Sequence, residues 1–499
     1  MPDTRSLCVV VLAAGLGKRL KSTLPKVLHP VCGRPALWHV LQAARRTRPR
    51  RIVVVVHPGA DLVREAVASW GIRPEPVLVE QGEPLGTGHA VMAAEDAVGS
   101  VTDVLTLSGD EPLHTPESLN ALLRLHRRMK AAATLLTTVL PDASGYGRIL
   151  RDGNELVRIV EEREASARER RIHEVATMVY AFRRDLLYDT LPLVGADNRQ
   201  REHYLPDVIS ILREKGEVVG VATEDLGGVL GINTRAELAG VAAVMRRRIN
   251  DRHMAAGVTM FDPETTYVEA EVRIGPDTVI HPLTVLEGRT RVGRDCVLGP
   301  STRIADSEVG DGSGVEFSVV RGSRIGRGVS VGPFAHLRPG TVLADGAKAG
   351  SFVEIKASRV GPGSKVPHLS YVGDATIGRD TNIGAGTVTV NYDGWDKHPT
   401  VIGDEVRIGS DTMLVAPVSV GDRAMTGAGS AITRDVPPGA LGIERAEQRN
   451  VPGFRDRKEA RKAVQQKEAA RKQKQRKPTQ RRAGPKGDGS TSATRGRSR

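Results

Sequence analysis

The sequence predicts an α/β chain with a Rossmann-like N-terminal domain, a connecting helix, a C-terminal left-handed parallel β-helix and a basic tail. Three observations support this fold class. Apolar and helical stretches alternate up to about Asn233, a six-residue aliphatic repeat dominates beyond Asp262, and the segment after Phe454 is rich in Lys and Arg. A chain of 499 residues has room for two or three domains. The expected segments are 1–233, 234–257, 258–454 and 455–499.

The N-terminal segment contains four apolar runs, LCVVVLA, RIVVVVH, TDVLTLSGD and ATLLTTVL, separated by helical stretches such as Pro116 to Lys130. This alternation predicts βαβ units on a parallel sheet. The first run is too short to span a membrane and leads directly into a glycine turn, so we interpret it as a buried strand and not as a signal peptide. A stretch from Thr234 to about Met254 has no proline, which predicts one helix between the two domains.

The C-terminal segment repeats an aliphatic residue every six positions, with a slip before Ile325 and an insertion after Ile383. The repeating residues are Ile274, Ile280, Leu286, Val292, Leu298, Ile304, Ile325, Val331, Leu337, Leu343, Ala349, Ile355, Val360, Val366, Val372, Ile377, Ile383, Ile402, Ile408, Leu414 and Val420. This period predicts a hexapeptide β-helix whose aliphatic side chains point inward. The insertion, GAGTVTVNYDGWDKHPT, interrupts a regular scaffold and is therefore expected to contribute to binding.

The net charge of +13 lies in the tail, because 17 of the 72 Lys and Arg residues but only 4 of the 59 Asp and Glu residues follow Phe454. Such a tail is expected to be disordered, with a helix over Arg455 to Arg476 as the alternative. A solubilising extension is favoured over an arm that binds nucleic acid or an anionic membrane surface. Three widely spaced cysteines indicate neither disulfides nor a metal site, which fits a reducing cytoplasm; they are Cys8, Cys32 and Cys296.

The first strand leads into a glycine-rich turn, LAAGLGKR, followed by the segment LPK. Glycines at a strand-to-helix turn let backbone N–H groups approach a phosphate, and Arg19 and Lys26 would add positive charge. The turn is neither a Walker loop nor a dinucleotide fingerprint, and an ordinary βα turn is the alternative. Asp110 follows a predicted strand, where its carboxylate could bind Mg²⁺ or could cap the strand end.

The β-helix carries polar residues on an otherwise aliphatic scaffold. His368 is of the type that serves as a base near neutral pH, although an isolated histidine is more often structural. Arg338 and Lys356 could clamp a phosphate, with scattered solvated charges as the alternative. Further hydrogen-bonding groups are Tyr371, Asn382, Asn391, Tyr392 and Lys397.

The string LAAGxGxR…LPKVLH resembles the signature of the sugar-1-phosphate nucleotidyltransferases. Together with the hexads behind it, the chain resembles the GlmU family over nearly its whole length except the tail. That family joins a glucosamine-1-phosphate acetyltransferase to an N-acetylglucosamine-1-phosphate uridylyltransferase. The resemblance implies Mg²⁺, acetyl-CoA and UTP as cofactor and co-substrates, a cytoplasmic homotrimer, and a product that supplies peptidoglycan and lipopolysaccharide precursors for the cell wall.

The resemblance also implies residue roles in the N-terminal half. Arg19 and Lys26 would face the phosphates as catalytic residues, and Asp110 and Asn233 would hold Mg²⁺. The residues implied to bind UTP or the UDP-sugar are Leu12, Ala13, Ala14, Gly15, Lys26, Gln81, Gly86, Thr87, Ser108, Gly109, Asp110, Gly145, Glu161 and Asn233.

In the β-helix, the resemblance implies that His368 is the general base and that Glu354 orients or polarises it. The residues implied to bind glucosamine-1-phosphate are Arg338, Lys356, Tyr371, Asn382 and Lys397. Those implied to contact acetyl-CoA are Ala385, Asn391, Tyr392, Ser410, Ala428 and Arg445. No departure from the family occurs at the sugar-binding positions of this half.

Four departures fall in the N-terminal half: Lys18 stands for a usual Thr, Ala176 for Asn, Met178 for Gly and Pro206 for Thr. Loss of an amide that binds the sugar could cost about 1–3 kcal/mol of binding free energy. The four departures leave a second hypothesis open, in which an acetyltransferase carries a nucleotidyltransferase half with weakened activity or altered specificity. A third hypothesis is a trimeric scaffold whose tail binds polyanions.

Overall fold

The computed structural model describes residues 6–153, 155–198, 201–215, 219–223 and 230–475. Contacts divide the chain into two units, Met1–Glu444 and Arg445–Arg499, and each is described by itself. Within the described ranges, no helix is long and apolar enough to cross a membrane. All three cysteines are free thiols.

The N-terminal half is built on one sheet with the strand order β11-β7-β10-β6-β1-β4-β5, and a small hairpin, β2–β3, stands apart from it. The strands are β1 Leu7–Leu12, β2 Pro30–Val31, β3 Arg34–Pro35, β4 Arg51–Val56, β5 Val77–Glu80, β6 Asp103–Ser108, β7 Ala133–Val139, β8 Arg148–Asp152, β9 Glu155–Val160, β10 Glu174–Arg183 and β11 Val219–Thr223. Strands β4, β1 and β6 are parallel neighbours, and so are β4 and β5 and β7 and β11.

The predicted βαβ units form a parallel sheet, but β10, a strand that the sequence analysis did not predict, runs antiparallel to both β6 and β7. The reason is the connection that precedes it. After β7 the chain forms the antiparallel pair β8–β9 and enters β10 without a crossover helix, which a parallel strand would require. The Rossmann-like prediction holds for the parallel part of the sheet.

Helices cover both faces of this sheet. They are α1 Ala36–Arg45, α2 Asp61–Ser69, α3 Thr87–Ala93, α4 Glu95–Val98, α5 Pro116–Met129, α6 Arg184–Thr190 and α7 Asp207–Glu214, with short 3-10 turns at Lys18–Leu20, Lys26–Leu28, Glu169–Arg171 and Leu191–Leu193. Successive β1 residues point to opposite cores: Val9 and Val11 pack in one cluster, and Cys8 and Val10 in the other. Because both faces are buried, the loops at the carboxyl edge of the sheet are left to form a site.

Helix α8, Arg235–Ala255, connects the sheet to the β-helix. Thr234 begins it with a capping box: its hydroxyl accepts from the Glu237 N–H, and the Glu237 carboxylate accepts from the Thr234 N–H. At the other end the Asn250 amide donates to the carbonyls of Pro263 and Thr266, at 2.9 and 3.0 Å, where the β-helix begins.

The β2–β3 hairpin also contacts the first coil of the β-helix. The Ala270 N–H donates to the Cys32 carbonyl at 3.0 Å. The Arg34 guanidinium pairs with the Glu271 carboxylate. The two halves of Met1–Glu444 are therefore joined by a helix and by a direct contact.

The β-helix has three faces of parallel strands. The first face contains Thr259–Met260, Val279–Ile280, Val297–Leu298, Gly314–Val315, Ser330–Val331, Lys348–Ser351, Lys365–His368, Asn382–Ile383, Arg407–Ile408, Met425–Thr426 and Leu441–Gly442. The second face contains Tyr267–Val268, Val285–Glu287, Arg303–Ala305, Val319–Arg321, His336–Leu337, Glu354–Lys356, Tyr371–Gly373, Val388–Val390, Met413–Val415 and Ala431–Ile432. The third face contains Arg273–Ile274, Arg291–Val292, Glu308–Val309, Arg324–Ile325, Val342–Leu343, Arg359–Val360, Ala375–Ile377, Thr400–Ile402 and Val418–Val420.

The repeating aliphatic residues form one continuous core, as the six-residue period predicts. All of them are buried except Ile274, which is partly buried and packs against the same core. The slip before Ile325 has a simple cause: the inward positions there are Val309, Val315 and Val320, so several rungs are five residues long instead of six. The burial of the core continues through the slip without a break.

The C-terminal unit contains α9, Phe454–Gln475, whose residues are exposed. This is the helix that the sequence analysis left open as the alternative to disorder. The rest of the tail, 476–499, lies outside the described residues.

Candidate functional site

A cavity of about 480 Å³ opens at the carboxyl ends of β1 and β6. It brings together ten of the predicted nucleotide-site residues, namely Leu12, Ala13, Ala14, Gly15, Lys26, Gln81, Gly86, Thr87, Ser108 and Asp110. Its volume lies in the range of small-ligand pockets. The crevice where neighbouring parallel strands end is the usual ligand position in α/β sheets.

Close backbone approach shapes the floor of this cavity. The Gly109 N–H donates to the Leu12 carbonyl at 2.8 Å, and a Cβ on Gly109 would lie 3.1 Å from that oxygen. On the opposite wall Gly86 has a φ of +105°, and a Cβ there would lie 2.6 Å from the His203 carbonyl. The buried Gln81 amide donates to the Gly86 carbonyl at 2.9 Å. Gly86 is therefore required by both space and backbone conformation, while the close approach at Gly109 leaves little room for a Cβ.

Lys26 joins the two predicted metal ligands. Its ammonium pairs with the Asp110 carboxylate and donates to the Asn233 amide oxygen at 2.7 Å, although 207 residues separate the partners of the second contact. A carboxylate and an amide oxygen thus converge on one positive charge. This donor set fits Mg²⁺, which takes oxygen ligands and keeps several waters or phosphate oxygens.

Within the described residues, no group of three or more His, Cys, Asp or Glu side chains could hold a metal by itself. The fit is therefore to an ion that phosphates help to bind, and not to a closed structural metal site. Ser108 supports this arrangement, because its hydroxyl donates to the other Asp110 carboxylate oxygen.

Two of the four departures line the same cavity. Lys18 adds a cation beside the glycine turn, and Met178 places an apolar side chain on the wall. The other two are accommodated locally. Pro206 precedes α7, where its missing N–H costs no helical hydrogen bond. Ala176 keeps its backbone hydrogen bond to the Gly147 carbonyl at 2.9 Å.

Glu161 lies beside Gly147 on the way into β10, and a Cβ on Gly147 would be 3.5 Å from its carboxylate. Burial raises the pKa of Glu161, and the nearby Asp207 carboxylate raises it further. Burial also raises the pKa of Asp207. Glu161, Gly145, Arg19, Gly109 and Asn233 do not themselves line the cavity.

On the β-helix, three charged residues lie close together on successive coils of the second face. Arg338, Lys356 and Asp374 end or follow consecutive strands of the second face. The Lys356 ammonium pairs with Asp374 at 3.1 Å, and Arg338 donates to Glu354 at 2.9 Å.

Lys397 joins this charged cluster from the insertion. Its pKa is lowered, chiefly by the Lys356 ammonium beside it and further by Arg338. The pKa of Lys356 is raised, first by Asp374. The cluster of Arg338, Lys356, Lys397 and Asp374, together with the Glu354 carboxylate that pairs with Arg338, has three cations and two carboxylates, a balance that favours an anionic ligand such as a phosphate monoester.

The insertion that carries Lys397 is a tight, preorganised hairpin, closed by a bridge between Tyr392 and Lys397. The Asp393 carboxylate accepts from the Asp396 N–H at 2.7 Å and pairs with the His398 ring at 2.7 Å. These contacts hold the pKa of Asp393 well below its usual range, with the Asp396 N–H as the largest cause.

His368 stands at the head of a column of small residues on one corner of the β-helix. The strand register continues from His368 to Ala385, Ser410 and Ala428 on successive coils. The corner backbones are hydrogen bonded, from the Asp411 N–H to the Ala385 carbonyl at 2.7 Å and from the Gly429 N–H to the Ser410 carbonyl at 2.8 Å. An exposed imidazole therefore borders a shallow track that could seat an extended chain.

The remaining predicted residues of this half are distributed as follows. Glu354 and Tyr371 face each other in register on the second face, but Glu354 contacts Arg338, and no described side chain is hydrogen bonded to the His368 ring. Asn382 lies on the first face, in register with Lys365 and Arg407.

Asn391 and Arg445 are the last two predicted residues of this half. Asn391 is buried and its amide donates to Asp374, beside the charged cluster. Arg445 belongs to the C-terminal unit and is exposed there.

Sequence reasoning missed Asp374 and Glu202. Asp374 lies one residue beyond Gly373, the in-register partner of Lys356 on the next coil, so the period points to its neighbourhood but not to Asp374 itself. Glu202 lines the nucleotide-site cavity from a loop whose position the sequence pattern does not predict.

Comparisons with known proteins agree with this geometry. A model of the MobA-like NTP transferase domain matches residues 9–185, and a model of the hexapeptide repeat of succinyl-transferase matches residues 399–434. The "Bifunctional protein GlmU" of Streptomyces avermitilis is 47% identical over 92% of this chain and 96% of its own length. That of Heliobacterium modesticaldum is 48% identical over 90% of this chain and 98% of its own length.

The chain belongs to the GlmU family. The GlmU protein of Streptomyces coelicolor is a further relative, 47% identical over 92% of this chain and 96% of its own. A solved UDP-glucose pyrophosphorylase structure with UDP-glucose covers 49% of this chain and all of its own, with a TM-score of 0.43 and 15% identity, which is too low to support an inference. The similarity to GlmU proteins extends over both the sheet and the β-helix.

The raised pKa of Glu161 predicts a pH-dependent stability effect. A carboxyl whose pKa is raised in the folded state disfavours folding once it ionises, so its contribution is favourable at low pH and is lost as the pH rises through the raised pKa. Glu161→Gln should therefore raise the thermal unfolding midpoint relative to the wild type at pH about 8 and do so less at pH about 4. Scanning calorimetry at both pH values measures this difference.

The matched control is Glu83→Gln, which removes an exposed carboxylate. Its midpoint should stay close to that of the wild type at both pH values. If Glu161→Gln lowered the midpoint at pH about 8, the ionised carboxylate would be stabilising and this interpretation would be wrong.

Proposed function

We propose that this chain makes UDP-N-acetylglucosamine in two steps. Acetyl-CoA first acetylates glucosamine-1-phosphate, and UTP then uridylylates N-acetylglucosamine-1-phosphate with release of pyrophosphate. The observation that supports this most strongly is that one chain of the GlmU family has a carboxylate–amide–lysine cluster on a nucleotide-type crevice and, on its β-helix, an exposed histidine at one corner and a cluster of cations at another.

In the uridylyl step, the oxygen of the sugar phosphate attacks the α-phosphorus of UTP, and the bond to pyrophosphate breaks. Asp110 and Asn233 would hold Mg²⁺, which neutralises charge on the phosphates. Lys26 adds a fixed positive charge at the same point, while the glycine turn from Leu12 to Gly15 presents backbone N–H groups. Catalysis here depends on positioning and electrostatics more than on a nucleophilic side chain.

In the acetyl step, the amine of glucosamine-1-phosphate attacks the thioester carbonyl of acetyl-CoA. The C–N bond forms, the C–S bond breaks, and His368 accepts the proton that the amine loses. Arg338, Lys356 and Lys397 hold the phosphate of the sugar, and the column of Ala385, Ser410 and Ala428 seats the extended arm of acetyl-CoA. Tyr371, Asn382, Asn391, Tyr392 and Arg445 complete the proposed contacts, and Glu354 positions the site.

The departures from the family in the N-terminal half do not change the proposed two-step function. Pro206 and Ala176 keep the local backbone in place, and Lys18 adds a cation where phosphates are expected. The similarity to GlmU proteins extends across both halves, which favours the bifunctional enzyme over either alternative. We assign the segments as 1–233 for uridylyl transfer, 234–257 for the linker, 258–454 for acetyl transfer and 455–499 for the tail, in the cytoplasm where both co-substrates are available.

The two activities should be separable by single substitutions. Asp110→Asn removes an oxygen charge from the proposed metal site and should lower pyrophosphate release from UTP by at least about 100-fold, with CoA release unchanged. His368→Asn should lower CoA release by about 100- to 10,000-fold, with pyrophosphate release unchanged. Two separate assays on each purified protein measure this, and each variant is the control for the other. A variant that abolished both activities, or neither, would contradict the proposed roles.

The β-helix also supports a homotrimer, because an apolar stripe runs along one corner. Phe317, Phe334, Phe352 and Leu369 occupy this corner on consecutive coils, and their side chains are 39% to 63% exposed. The phenyl rings stack, with centroids 5.6 and 5.3 Å apart. An exposed stripe of this kind indicates a protein contact, and Leu369 directly follows His368. A second copy seated here would border the acetyl site.

The trimer can be tested by sedimentation velocity with activity measured on the same samples. Phe334→Ser with Phe352→Ser should shift the protein to smaller species and lower CoA release, while pyrophosphate release persists. Leu62→Ser, which alters an exposed leucine of α2, is the control and should leave both assembly and activities unchanged. A wild-type monomer with full CoA release would rule out the shared site.

A further inference from the structure

A cavity of about 560 Å³ lies where the end of α8 meets the first coils of the β-helix, outside both proposed active sites. Four arginines line it: Arg252 from the last turn of α8, and Arg273, Arg289 and Arg291 from the β-helix. Its remaining lining residues are His253, Ala256, Ala270, Glu271, Val272 and Ile274.

The positive charge of this arginine cavity is not neutralised by the protein. None of its four guanidinium groups forms an ion pair with a described residue. Glu271 is the one acid among the lining residues, and its carboxylate is engaged by Arg34. The cavity therefore combines four unpaired cations with a single, already paired carboxylate.

The strand register places two of the four solvent-exposed arginines side by side. Arg273 and Arg291 are directly in register on adjacent parallel strands of the third face. Like charges that face each other across a strand pair are destabilising. The next residue in this row is Glu308, but its carboxylate pairs with Arg324 on the far side, at 3.0 Å. The arginine pair would be stabilised by an anion that bridges both guanidinium groups.

His253 also lines the cavity and is only 7% exposed. Its Nε2 atom has no hydrogen-bond partner but is itself buried, so it does not contact a ligand in the cavity. Burial and the neighbouring Arg252 lower the pKa of His253 to about 4, so the ring is neutral at physiological pH and does not add to the charge.

A purely structural explanation accounts for part of these features. Arg252 lies near the carboxyl end of α8, where a cation is favourable. The same argument does not apply to Arg273, Arg289 and Arg291, which are on the β-helix. Their convergence on one cavity without an ion-pair partner among the described residues is better explained by an anionic ligand.

We propose that this arginine cavity binds a compact polyphosphate anion, with the diphosphate group as the recognised chemistry. Arg273 and Arg291 clamp the bridging phosphates, since guanidinium groups bind phosphate oxygens in pairs, and Arg252 and Arg289 close the sides. Free pyrophosphate and a nucleoside triphosphate are the two sources of this chemistry.

The test is isothermal titration calorimetry of the full-length chain with two probes, inorganic pyrophosphate and ATP. We expect Arg273→Ala/Arg291→Ala to lose one equivalent of bound pyrophosphate per chain or to bind it about tenfold or more weakly than the wild type. The control is Arg294→Ala, which removes an exposed arginine on the same coil that does not line the cavity and should bind like the wild type. Pyrophosphate that binds in the nucleotide-site cavity should do so equally in the wild type, the double variant and the control, so it does not affect the comparison.

A second pair, Arg252→Ala and Arg289→Ala, should show the same loss and keeps the test valid if the first pair disturbs the coil. Tighter binding of ATP than of pyrophosphate, lost in the same variants, would identify a nucleotide as the ligand; the reverse order would identify free polyphosphate. Identical titrations for the wild type and both double variants would overturn the proposal. An equal loss in Arg294→Ala would also overturn it, because general surface charge would then explain the binding.

Discussion

The inward packing of one aliphatic side chain per rung is the constraint on which the C-terminal half depends. Because each rung buries its Ile, Leu or Val in one continuous core, residues one coil apart are forced into register. The same register aligns the polar residues on the outside of these rungs from one coil to the next. The charged stack of Arg338, Lys356 and Asp374 and the small-residue column below His368 are both consequences of this core, as is the apolar corner that ends at Leu369.

In the N-terminal half, the functional residues are brought together by loops and not by a repeat. Its sheet is buried on both faces, so chemistry is confined to the loops at the carboxyl edge, where distant segments meet. Lys26 shows how strongly this arrangement depends on tertiary structure, since its ammonium contacts both Asp110 and Asn233, and Asn233 is 207 residues away along the chain. Helix α8 starts immediately after Asn233, so the same capped terminus fixes a proposed metal ligand and begins the connection to the β-helix.

Much of the fold could be predicted from periodicity alone, because both alternating βαβ units and hexads leave a direct trace in the order of apolar residues. The antiparallel strand β10 could not, since its direction follows from the absence of a crossover helix and not from its own composition. The pairing of Glu354 with Arg338 was also not predicted, and neither was that of Asp374 with Lys356, because the register between these strands puts Gly373 and not Asp374 opposite Lys356. Side-chain partners on a surface depend on rotamers and on competing charges, which the sequence pattern does not encode.

The most direct test of the two-step assignment is to incubate the protein with glucosamine-1-phosphate, acetyl-CoA and UTP and to follow every sugar phosphate by mass spectrometry, with Mg²⁺ and then with a chelator. The account predicts UDP-N-acetylglucosamine when Mg²⁺ is present and accumulation of N-acetylglucosamine-1-phosphate when it is chelated, because only the uridylyl step uses Asp110 and Asn233 with a metal. Failure to form the acetylated sugar phosphate in either condition, or formation of a UDP-sugar after chelation, would contradict it.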